Sequence, residues 1–115
     1  MNEFAKLHCS PIKENTPKLN ADEVSKLLVK FPGWSTYEKE GELRLEKMFK
    51  FDDFDQAIAF TDQVAQEAKK EDHHPAILTE WGKVTVTWWS HKIKGLHQND
   101  FIMAAKTENL KRGSL

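Results

Sequence analysis

Three of the chain's five histidines fall within nineteen residues, at His73, His74 and His91. Imidazole, with an ordinary pKa near ~6.5, can give or take a proton at neutral pH. Clustered imidazoles therefore point to general acid–base chemistry, in which one ring protonates a leaving oxygen and another receives a proton. His73 and His74 precede a segment that reads as a β-hairpin, and His91 follows it. The start and finish of an antiparallel hairpin are neighbours, so the three rings can converge at its open end. Asp100 reaches them if the 90–98 loop folds back, and its carboxylate could then fix a ring's orientation. Two other readings stay open on the residues alone. His-His before Pro75 can be a solvated loop, and three histidines with an aspartate could bind zinc. The spacing matches no known ligand motif, however, and adjacent His73 and His74 would point in different directions. His97 and Cys9 each stand alone and read as surface residues. Trp81, Trp88 and Trp89 read as core or interface residues.

The elements that would position these groups are legible. Residues 1–19 carry Pro11 and Pro17 and no periodicity, which predicts an irregular arm, with a single domain over 20–115. Asn20 and Glu23 form the pattern of a capping box. Val24, Leu27, Leu28 and Phe31 follow at helical spacing, and Pro32-Gly33 ends the run. A first hairpin is expected from 34–38 and 43–51 around Glu40-Gly41. Asp53 and Gln56 open the longest helix. Its stripe of Phe54, Ala57, Ile58, Thr61, Val64, Ala65 and Ala68 ends near Lys70, ahead of Pro75. A second hairpin runs 76–81 and 84–89 with its turn at Gly82-Lys83, placing Val84, Val86 and Trp88 on one face. A last helix covers roughly 99–110, with Asp100 in its first turn, where a helix N-terminus favours a carboxylate. The order helix, hairpin, helix, hairpin, helix predicts an α+β domain, an antiparallel sheet covered on one face by helices.

Composition narrows the class. At 115 residues the chain has room for one domain, and 39% apolar residues supply one core. With 17 basic against 18 acidic side chains, the net charge of −1 argues against a surface built for nucleic acid or an anionic membrane. A single cysteine rules out an internal disulfide and fits a reducing compartment. No apolar run approaches the ~20 residues of a membrane span. The first twenty residues lack the apolar centre of a signal peptide, so a cytoplasmic location is expected.

One spaced set of residues is far more specific than any of these features. Lys69-x-x-x-His73-His74-Pro75, then Trp81, His91 and Asp100, resembles the signature of the pterin-4a-carbinolamine dehydratase family. The 79–107 stretch TEWGKVTVTWWSHKIKGLHQNDFIMAAKT is similar to the bacterial, phenylalanine hydroxylase-associated branch. PGW at 32–34, LEKMFKF at 45–51 and AFTDQVAQEA at 59–68 extend the likeness over about 7–110.

The resemblance implies a four-stranded antiparallel sheet with three α-helices on one face. It implies dehydration of a 4a-hydroxytetrahydropterin to a quinonoid dihydropterin, in the recycling of the pterin used by aromatic amino-acid hydroxylases. By the same resemblance His73 and His91 are the acid–base pair, His74 holds the pterin, and Asp100 is the acidic site residue that orients an imidazole. Pro75, Ser90, Lys92 and Ile93 join the three histidines in binding substrate. Neither a metal nor a cofactor is implied, since the pterin is the substrate. A homodimer or homotetramer and a functional link to phenylalanine hydroxylase are expected, and neither nucleic acid nor membrane. Animal members also serve as dimerisation cofactors of a transcription factor, which leaves a protein-interaction role as the alternative, with the stripe of the long helix serving core or oligomer. Two departures stand out. Ala76 and Ile77 follow the His-His-Pro where many relatives carry Trp or an acid, and Ile12 stands where some bacterial relatives have a second cysteine.

Overall fold

Each helix begins at a side chain that satisfies its first free N–H groups. In the computed structural model, which describes residues 3–113, the Asn20 side chain accepts from the Glu23 N–H and the Glu23 carboxylate accepts from the Asn20 N–H, both at 2.9 Å. This capping box opens α1, Ala21–Leu28. Asp53 accepts from the Gln56 N–H at 2.8 Å and opens α2, Phe54–Glu71. Asp72 stops α2 in the left-handed region at φ 52°, and the His73 N–H turns back to the Ala68 carbonyl at 3.1 Å. The third helix, α3, spans Gln98–Gly113.

Four strands lie between the helices: β1 Ser35–Lys39, β2 Glu42–Lys50, β3 Ala76–Glu80 and β4 Lys83–Trp88. Glu40 and Gly41 both take positive φ, 55° and 79°, as a two-residue type I′ turn requires. The second hairpin turns at Trp81-Gly82, one residue earlier than the sequence suggests, and leaves Trp81 73% exposed at the tip. The hairpins join through antiparallel β2 and β4, with Leu45 opposite Trp88 and Phe49 opposite Val84. The sheet order is β1-β2-β4-β3, and the expected α+β architecture holds. Alternation along the strands buries Leu45, Phe49, Val84, Val86 and Trp88 beneath the helices.

The buried face of α2 differs from the stripe read in the sequence. Ala57, Phe60, Val64 and Ala68 are buried, whereas Phe54 and Ile58 are 45% and 39% exposed. Thr61 is turned toward the sheet edge, where its hydroxyl meets Thr79 Oγ1 at 2.7 Å. The apolar residues of α2 form two neighbouring rows, and periodicity alone does not tell which row meets the sheet.

The arm is also more ordered than its composition suggests. Glu3–Lys6 form a 3₁₀ turn against α3, where the Lys106 amine donates to the Ala5 carbonyl at 2.9 Å. Phe4 meets Phe31 edge-on at 5.6 Å, and Phe31 meets Phe101 at 5.2 Å. Leu19 N–H reaches the Leu96 carbonyl at 2.8 Å, which carries the arm along the start of α3. Among the described residues no helix is long and apolar enough to cross a membrane.

Two substitutions probe this arrangement in urea denaturation. Phe60→Ala empties a fully buried aromatic position and is expected to cost about 3–5 kcal/mol. Asn20→Ala removes one cap and is expected to cost about 1 kcal/mol.

Candidate active site

The site begins at a carboxylate without exposed surface. Asp100 is 0% exposed and lies in the first turn of α3. Its Oδ1 meets His73 Nε2 at 2.6 Å. Its Oδ2 accepts from the Ser90 hydroxyl at 2.8 Å and from the His97 N–H at 3.0 Å. The last contact ties down the residue preceding α3, as the acidic half of a capping box does. His97 completes the cap, its Nδ1 accepting from the Asn99 N–H at 3.0 Å. One carboxylate thus starts a helix, fixes Ser90 after β4 and holds the ring of His73.

His73 follows the left-handed stop of α2, which turns the chain inward. Its ring is 9% exposed and lies parallel to Trp88 at 5.9 Å and 10°. His74, the next residue, faces outward with its side chain 67% exposed and Nε2 4.0 Å from Asp72 Oδ1. His91 opens the 3₁₀ turn His91–Ile93 after β4. It is exposed and leans on Trp89 at 4.4 Å, and the Arg44 guanidinium covers a Trp89 ring at 3.9 Å. The Nε of Arg44 is buried without a hydrogen-bond partner, the guanidinium resting on the indole instead.

All three histidines line one cavity of about 540 Å³, together with Ser90 and Lys92. The structure thus brings together five of the eight anticipated residues. Asp100 lies beneath the wall, reaching the cavity through His73. Pro75 and Ile93 are outside the lining, Ile93 only 8% exposed beneath the 3₁₀ turn. The remaining wall comes from residues the sequence did not flag: Cys9, Ser10, Pro11 and Ile12 of the arm, with Glu71, Asp72 and Asn99. Asn99 fastens the arm, its side chain accepting from the Ser10 N–H at 3.0 Å and donating to the Ser10 carbonyl at 2.8 Å. Among the described residues, no three His, Cys, Asp or Glu side chains are grouped as metal ligands.

The electrostatics of the wall are specific. Burial pushes the Cys9 thiol up to about 12, with the Glu71 and Asp100 carboxylates adding to the effect and Lys106 opposing it, so Cys9 stays a thiol. Burial would raise Glu71, but the Cys9 N–H at 2.7 Å, His8 at 2.8 Å and Lys106 at 4.0 Å hold it below the ordinary value of 4.5. Burial, helped by neighbouring His73 and opposed by Asp100, lowers His97 from 6.5 and keeps it neutral.

The Glu71 and His97 shifts act in the same direction on stability. A histidine with a lowered folded pKa binds a proton more readily when unfolded, so its contribution is present above pH 6.5 and declines below it. A carboxylate with a lowered folded pKa contributes above 4.5 and loses that contribution as pH falls through its folded value. The urea midpoint should therefore fall between pH 7 and 5 and again below 4.5. His97→Asn, which keeps a capping side chain without a titrating ring, should flatten the first decline; an unchanged profile would contradict the role given to His97.

Known proteins share this arrangement of chain. Residues 17–110 match the family described as Pterin 4 alpha carbinolamine dehydratase. A Microcystis aeruginosa protein named "Putative pterin-4-alpha-carbinolamine dehydratase" is 52% identical over 112 residues, 97% of each chain. Among solved structures, a transcriptional coactivator/pterin dehydratase from Brucella melitensis superposes with a TM-score of 0.73 at 32% identity, over 82% of this chain and 98% of that one. A pterin dehydratase-like protein identified as a RuBisCO assembly factor in the alpha-carboxysome superposes at 0.58 and 25% identity, over 68% and 88%. A family match over most of the chain and a relative 52% identical over nearly its whole length lead to one conclusion: this chain is a member of the pterin-4a-carbinolamine dehydratase family.

Proposed function

We propose that the chain removes water from a 4a-hydroxytetrahydropterin to give a quinonoid dihydropterin, a hydro-lyase reaction. The observation that carries the reading is the convergence of His73, His74 and His91 on one cavity with a buried aspartate behind His73. The C4a hydroxyl must be protonated to leave as water, and N5 must lose its proton. Asp100 is an acceptor, so the His73 proton sits on Nε2 and leaves the Nδ1 lone pair as base. His73 takes the N5 proton, and Asp100 stabilises the imidazolium that results. His91, exposed and seated on Trp89, supplies the proton to the departing hydroxyl. His74, open to solvent at the cavity edge, holds the pterin. Ser90 and Lys92 flank the ring edge, and the arm closes the opposite wall. Neither proton transfer calls for a metal or a redox cofactor.

The wider setting follows from the reaction. A reductase must consume the quinonoid product and a pterin-dependent hydroxylase must supply the carbinolamine, which fits a link to phenylalanine hydroxylation inside the cell. Self-association as a dimer or tetramer, served by the exposed apolar row of α2 with Phe54 and Ile58, belongs to the same proposal. A protein-interaction role is the second reading, supported by the Brucella melitensis neighbour's name as a coactivator.

Decay of the 4a-carbinolamine signal in a coupled hydroxylase assay tests the reading. His73→Ala and His91→Ala should each lower kcat by roughly 10²–10⁴. His74→Ala should mainly raise KM. Asp100→Asn should lower kcat and displace the pH profile while substrate binding persists. Unaltered kinetics in all of these variants would refute the assignment.

A further inference from the structure

A second cavity, of about 600 Å³, opens toward the other end of α3. Asp100 and Glu108 are eight residues apart on that helix, which separates the two sites by about 12 Å along its axis. The walls combine the rings of Phe4, Phe31 and Trp34 with the charged groups of Lys47, Glu108 and Arg112. Lys47 is out of place by the rule of its strand. Alternation puts it on the helix-covered side of β2, between the buried Leu45 and Phe49.

Its pairing is unusual too. The Lys47 amine and the Trp34 indole N–H both bond Glu108 Oε1, the indole at 3.0 Å. Oε2 of Glu108 is left without a partner among the described residues, and the Lys47 ammonium has three N–H groups for that one bond. Both side chains are about three-quarters covered, at 23% and 30% exposure. Gly33 gives them room. At φ +88° its Cβ would stand 3.0 Å from both Lys47 Cε and Nζ. A half-buried ion pair adds little net stability, so stability alone does not account for a lysine here.

We propose that this cavity binds a flat bicyclic heterocycle through a lactam edge, of the pteridine or purine class. Glu108 Oε2 offers an acceptor beside the Lys47 donor, which matches a ring N–H next to a ring carbonyl. Phe4, Phe31 and Trp34 make part of the wall aromatic, and the volume lies in the small-molecule range. A simple anion would meet the Glu108 carboxylate wherever it approached Lys47. A simple ammonium fits poorly because it would sit beside the Lys47 charge.

Equilibrium dialysis of the full chain, with 7,8-dihydrobiopterin and separately with hypoxanthine, tests the proposal. Asn109 lies exposed on the rim, so Asn109→Trp obstructs the cavity without disturbing the core. The wild-type chain should hold one more molecule of at least one probe than Asn109→Trp, with dehydratase turnover equal in the two. Glu108→Gln should weaken that same binding at least tenfold. Equal stoichiometry in wild type and Asn109→Trp for both probes would overturn the proposal. The readout is the difference between the two chains, so it stands or falls independently of the histidine cavity.

Discussion

A carboxylate sealed from water is expensive unless donors surround it, and here three donors meet at Asp100. Each comes from a different part of the chain: the residue after the α2 stop, the residue after the hairpin, and the residue before α3. Removing one partner from a buried charged cluster typically costs about 3–5 kcal/mol, so the three segments are held in one relation. The chemistry inherits that rigidity. His73 is parked on Trp88 and tied to Asp100 through Nε2, which in the proposed reaction fixes its tautomer before a substrate arrives.

The other two histidines are held loosely by comparison. His74 and His91 are exposed, the first near Asp72 and the second on Trp89. The division suits the proposed reaction. A base needs a defined lone pair, which burial and a carboxylate provide. An acid must exchange protons with water between turnovers, which exposure provides. The Cys9–Ile12 wall adds shape without reactivity, because burial keeps the Cys9 thiol protonated.

Much of this was legible in the residues, and where it was not there is a physical reason. The caps at Asn20 and Asp53, both hairpins and the convergence of His73, His74 and His91 follow from local rules of turn and period. Asp100 was legible because a helix N-terminus and a histidine cluster make the same demand. The buried face of α2 was not: Phe60 competes with Ile58 for the inward position, and only the sheet it meets decides. The arm's place in the cavity wall was not legible either. Cys9–Ile12 carry no periodicity, and their place depends on hydrogen bonds between Ser10 and Asn99 across 89 positions of sequence. Lys47 and Glu108, charged residues on helix-covered ground, follow no pattern of hydrophobicity at all.

The central claim is that Asp100 fixes the His73 ring with its proton on Nε2. Long-range ¹H–¹⁵N correlation of the histidine rings at neutral pH reads this directly. Nε2 of His73 should show the protonated, hydrogen-bonded shift and Nδ1 the unprotonated one, and Asp100→Asn should abolish the distinction. A His73 ring carrying its proton on Nδ1, or averaging between the two nitrogens in the wild-type chain, would contradict the claim.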